Sequence, residues 1–144
     1  MVTALNPGAI TRYHLMEERE VADEPKDTPA EDRPYEPKPG ASTFLFRDLT
    51  ATEEANVRDL AGRMDPSTGS YVMTTNRSKT EALLLALVGW EDFNFPDGGP
   101  VPFPEEGKRS RQAVEQAIQH LLPRHRLELA NHAWRSVTSM LAEK

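Results

Sequence analysis

The side chains best suited to chemistry are His125, Glu128 and His132. Their i, i+3, i+7 spacing sets two imidazoles and a carboxylate on one face of a helix. Imidazole nitrogen and carboxylate oxygen both ligate Zn2+, so this is metal-binding chemistry in principle. Such a site also needs a third or fourth ligand and groups that orient the first ones. On the same helix Leu127, Ala130, Trp134, Val137 and Leu141 step by 3, 4, 3 and 4, which is one apolar seam. The histidine face lies roughly 140–160° from that seam at 100° per residue. It is therefore expected to face water, with no metal and no other cofactor bound.

Other catalytic patterns are not found. No Gly-rich loop leads into Lys and Ser/Thr as a phosphate cradle does. No serine sits in G-x-S-x-G. There is no cysteine, which removes thiol catalysis, disulfides and Cys-based zinc. Glu105 and Glu106 precede a predicted helix, where the dipole favours negative charge, and read as solvated surface. Asn76-Arg77-Ser78 fits a glycosylation sequon but coincides with a helix cap. The chain is expected not to be an enzyme.

Large aromatic side chains carry more information. Trp90, Phe93, Phe95 and Phe103 fall in one Pro/Gly-rich stretch and are four of the ten aromatics. They are read either as a lid over the core or as interface anchors, since Trp and other aromatics dominate desolvated hot spots. Tyr13 and Tyr35 stand in an otherwise polar N-terminal stretch, and a polar extended segment docks through its few large side chains. The residues expected to contact a partner are Tyr13, Tyr35, Trp90, Phe93 and Phe103.

The elements that would position them follow from local pattern. Residues 23–40 hold five prolines and no aliphatic side chain larger than Ala. Each proline fixes its own φ and pushes its predecessor toward extended geometry. Residues 1–43 are therefore expected to be an extended, acidic, Pro-rich arm, with 10–15 a strand only if something pairs with it. Residues 44–144 are expected to form the globular domain. Phe44-Leu45-Phe46 reads as a strand, and Thr50 with Glu53 as a capping box opening a helix that runs to Met64. Residues 70–75 read as a strand. A second helix spans 77–88, apolar nearly all round and ended by Gly89. A third spans 108–122, and Pro123 opens the fourth. Residues 95–101 suggest an irregular hairpin around Pro96-Asp97-Gly98-Gly99-Pro100. The fold class is α+β: about four helices and a minor sheet behind an extended arm.

Charge narrows the partners. The formal net charge of the 144 residues is −6, with −4 in residues 1–43 and −2 in the rest. Phosphate neutralisation needs a basic patch, and Lys108, Arg109 and Arg111 are the one cluster, so nucleic acid is not an expected partner. No apolar run approaches the roughly 20 residues that span a bilayer, so neither is a membrane. The N-terminus lacks the basic-then-apolar pattern of a secretory signal.

The order of features resembles a known family. Leu49-Thr50 opens a helix, then come Met64-Asp65-Pro66-x-x-Gly69, Gly89-Trp90-x-x-Phe93, Asp97-Gly98, Val101-Pro102-Phe103, and Leu122-Pro123 with Leu127-x-Leu129-Ala130. Over residues 44–135 this looks like the small proteins encoded among the head and tail morphogenesis genes of tailed bacteriophages. Some of these are virion structural proteins and others resemble tail assembly chaperones. The resemblance implies a non-enzymatic protein that binds other phage structural proteins (a coat, connector or tail subunit), with self-association possible. It implies a virion location after synthesis in the bacterial host cytoplasm. It transfers no functional residue. The alternative it leaves open is a tail assembly chaperone that masks a tail subunit and is absent from the mature particle. A small metal-dependent enzyme built on His125, Glu128 and His132 is the remaining reading.

Overall fold

A computed structural model describes residues 9–60, 62–64, 67–69, 71–73 and 76–142. Among these are four α-helices and a small antiparallel β-structure, an α+β arrangement. Strand β4 (Thr43–Arg47) is central in a three-stranded sheet, flanked by β1 (Ile10–Tyr13) and β7 (Leu87–Glu91). Both pairings are antiparallel, with Ile10 opposite Arg47 and Phe44 opposite Trp90. Strands β2 (Arg19–Val21) and β3 (Tyr35–Pro37) form a separate ribbon, as do β5 (Gly62–Met64) and β6 (Tyr71–Met73).

Helix α1 (Ala51–Asp59) starts where its cap requires. The Thr50 hydroxyl accepts from the Glu53 backbone N–H, and the Glu53 carboxylate accepts from the Thr50 N–H at 3.0 Å. Arg47 donates two further bonds to the same carboxylate, at 2.8 and 2.7 Å. Those bonds from Arg47 hold the Glu53 carboxyl down to about 2. Glu53→Ala removes the back-bond of the box and the fork together. It is expected to lower stability by about 2 kcal/mol, read as a fall in thermal midpoint.

Helix α2 (Asn76–Ala86) lies at the centre, with α1, α3 (Arg111–Ile118) and α4 (Pro123–Ala142) packed on it. The core joins Leu15, Phe44, Phe46, Leu83, Leu87 and Leu129, with Val57, Val114, Ile118 and Val137 around them. Among the described residues, no helix is long and apolar enough to cross a membrane.

Five expectations change. The third helix spans Arg111–Ile118 rather than 108–122, because Ser110 caps it: its side chain accepts from the Ala113 N–H. Over its described part, the N-terminal stretch is not a separate arm. Ile10–Tyr13 is a strand of the sheet and Leu15 is buried in the core. The first helix stops at Asp59, and Gly62–Met64 is strand. The second stops at Ala86, and Leu87–Glu91 is strand with no loop between, so Gly89 lies in the sheet rather than at a helix end. The seam of α4 is rotated: Leu129, Ala130, Ala133 and Val137 face inward while Leu127 is 57% exposed. Leu129 and Ala133 set the core side of α4, and Leu127, two residues before Leu129, falls about 200° round the helix from it. The 70–75 strand holds over Tyr71–Met73, and Pro123 does open α4.

Candidate functional site

The five aromatics singled out from the sequence fall into two clusters, both engaged within the chain. Trp90, Phe93 and Phe103 are half-buried on one side of Phe44. Trp90 meets Phe93 and Phe103 edge-on at 5.0 and 4.8 Å between ring centres. Its indole N–H donates to the Val101 carbonyl at 2.8 Å. The loop beyond is the expected irregular hairpin. Phe95 N–H donates to Gly99 O, Gly98 occupies φ +95°, and Asn94 bridges Pro100. At its tip Phe95 is exposed and stands edge-on to His120.

Tyr13 and Tyr35 belong to the second cluster, where the N-terminal segment crosses α4. Arg19 is buried, and its guanidinium lies between their rings, 4.7 Å from the centre of Tyr13 and 4.2 Å from that of Tyr35. Its Nε donates to the His14 carbonyl at 2.8 Å. No carboxylate pairs with it among the described residues, so the tyrosine faces and carbonyls carry its charge. The His14 ring links the Tyr35 hydroxyl and the Thr43 hydroxyl. Burial and the nearby Arg19 charge hold that imidazole below its usual range. Lysine cannot reproduce a planar group stacked between two rings. Arg19→Lys is therefore expected to cost about 2 kcal/mol, measured by urea unfolding with the slope unchanged.

The histidine face of α4 is not wet, contrary to expectation, because this same segment covers it. Glu128 accepts from the Tyr13 hydroxyl at 2.7 Å and from the Met16 N–H at 2.9 Å. Burial, then the Glu128 carboxylate, pushes the Tyr13 hydroxyl up. His132 stacks on Tyr13 at 4.1 Å and meets Phe46 edge-on at 4.9 Å. Burial, with Arg135 and Arg19 adding repulsion, lowers its imidazole to about 4. His125 pairs with Glu17, which Arg124 also approaches at 3.5 Å. The three α4 residues are thus each engaged by the N-terminal segment, His125 by Glu17, and Glu128 and His132 by the hydroxyl and the ring of Tyr13. No group of three or more His, Asp or Glu among the described residues could hold a metal ion.

The open surface lies elsewhere. A groove runs between α2, α3 and α4 with Leu83, Leu84, Ile118 and Ala130 in its floor. Lys79, Arg126 and the exposed Leu127 stand on its rim. Leu122, just before α4, is 49% exposed. Of the basic cluster seen in the sequence, Arg111 is spent on Glu81 and Glu115. Sequence reasoning misses Arg19 and Leu127. Arg19 gives no signal, and Leu127 reads as core because leucine at helical spacing usually is. A scan against family models and searches of curated proteins and of solved structures find no match to this chain.

Proposed function

We propose that the chain is a non-enzymatic assembly protein of a tailed-bacteriophage particle, which binds a coat, connector or tail subunit and stays in the virion. One observation carries the binding part of this reading: the groove between α2, α3 and α4, apolar in its floor and rimmed by the exposed Leu127. A groove of that form receives an amphipathic segment of another protein. The spacing pattern shared with phage morphogenesis proteins supports the identity of that protein. Trp90, Phe93 and Phe103 then shape the loop that presents Phe95, while Tyr13 and Tyr35 hold the N-terminal segment.

The chaperone reading draws on the same groove, because masking a subunit's apolar segment needs an apolar bed on a soluble, net-acidic body. Mass spectrometry of purified mature particles separates the two. A fixed ratio of this chain to the major coat or tail protein supports a structural role. Absence from particles, with co-purification of a tail subunit from infected cells, supports the chaperone. Absence from both overturns the phage reading.

A further inference from the structure

Residues 9–38 behave as a unit with its own internal bonds. The β2–β3 ladder is extended by Ala22 N–H to Pro34 O and Lys38 N–H to Glu18 O. Arg33 ties the ribbon's loop through the Thr28 and Lys26 carbonyls, and Arg19 joins Tyr13 to Tyr35. One short connection, residues 39–42, leads from this unit to β4. Gly40 turns there with φ +79° and nothing packed against the place its Cβ would take.

The bed of the unit is specific. It consists of the β4 edge, Phe46, and the α4 face bearing Glu128 and His132. Charge is matched across it. The acidic unit brings Glu17 to His125 and Arg124, and Asp32 to Arg135. Removing the unit would leave a bare strand edge and take Leu15 out of the core, so the open form is costly. Only an occupant with the same strand register, the same tyrosine and the same acidic positions would fill that bed. A second copy of this chain has one.

We propose that residues 9–38 exchange between two copies, each unit docking on β4 and α4 of the other. The connection at residues 39–42 would open, breaking the turn hydrogen bond from Ala41 N–H to Lys38 O. The interactions of the unit with its bed are remade across the two-fold, so exchange needs no new complementary surface. The inference stands whether or not the chain belongs to a virus particle.

The sequence holds no cysteine, which makes cross-linking clean. Glu17→Cys and His125→Cys are made as separate chains, mixed at low and high concentration, and oxidised. Glu105→Cys replaces Glu17→Cys in a control mixture. Exchange predicts a covalent 17–125 heterodimer, absent from the control, whose yield climbs severalfold over about a hundredfold rise in concentration. Sedimentation equilibrium of the unmodified chain should show a dimer over the same range. The double variant Glu17→Cys/His125→Cys reports the closed form as an internally bridged monomer. If it gives bridged monomer at every concentration while the mixed single variants give no dimer, the unit stays on its own copy and the proposal fails. A dimer by sedimentation without the 17–125 link would also overturn it, placing the interface elsewhere.

Discussion

A chain that begins at Ser42 is expected to lose its cooperative thermal transition. The sequence alone argues the reverse, that residues 1–43 are an arm whose deletion leaves the domain folded and weakens only assembly. The packing decides between these outcomes. Truncation removes Leu15, which is 4% exposed and part of the core. Burying a leucine contributes about 2–3 kcal/mol. It removes Tyr13 from Phe46 and His132, and takes both donors from Glu128. Water replaces those donors on the uncovered carboxylate, so the loss is the net worth of two hydrogen bonds, about 1–3 kcal/mol. It also strips the four-residue ladder from β4 and turns the central strand into an edge. Together these effects reach roughly 5 kcal/mol or more, comparable with the whole stability of a domain this size. Circular dichroism on heating is the measurement. A sigmoidal melt within a few degrees of the full chain would show that the segment is an appendage after all. Leu15→Ala in the full chain separates the core term, with an expected loss of about 2–4 kcal/mol.

Why the N-terminal segment misleads is a matter of what its composition counts. Five prolines and few aliphatic residues say that a stretch cannot bury apolar area by itself. Here it does not have to. Its order comes from Arg19 held between two tyrosines, from carbonyls taking that charge, and from a strand whose partner lies more than thirty residues away. Long-range pairing leaves no mark in local pattern, whereas the Thr50–Glu53 box and Pro123 at the start of α4 are local and legible. The run from Ala82 to Val88 shows the other limit. Leu83 and Leu84 in helix and Leu87 in strand are all buried, so no period divides them. The same blindness hides the candidate surface. Leu127 has the spacing of a core residue, and only the burial of Leu129, Ala133 and Val137 on the other side of α4 shows that it faces outward.

His132 should make stability depend on pH in a window of its own. The neutral ring fits between Tyr13 and Phe46, while a protonated one would face the guanidinium groups of Arg19 and Arg135 in a half-buried place. Its folded-state value of about 4 lies below the ordinary 6.5. The unfolded chain therefore binds the proton first as pH falls. Stability from this site is complete above pH 6.5 and is lost on acidification down to about pH 4. The loss should be about 2 kcal/mol once solvent screening of the partly exposed ring is allowed for. The lowered His14 acts with the same sign, and Glu53 follows at lower pH, its contribution vanishing as pH falls from 4.5 toward about 2. His132→Phe keeps a ring against Tyr13 and Phe46 but carries no proton. In urea unfolding series between pH 7 and 4.5, the variant should show a much flatter decline than the parent. The two should converge in slope below pH 4, where Glu53 governs both. An equal decline in parent and variant across the upper window would mean that the imidazole is as free to charge in the folded chain as in the unfolded one. In that case the bonds to Glu128 and the pairs with Arg124, His125 and Arg135 would hold the N-terminal segment on α4 with no share from a neutral His132.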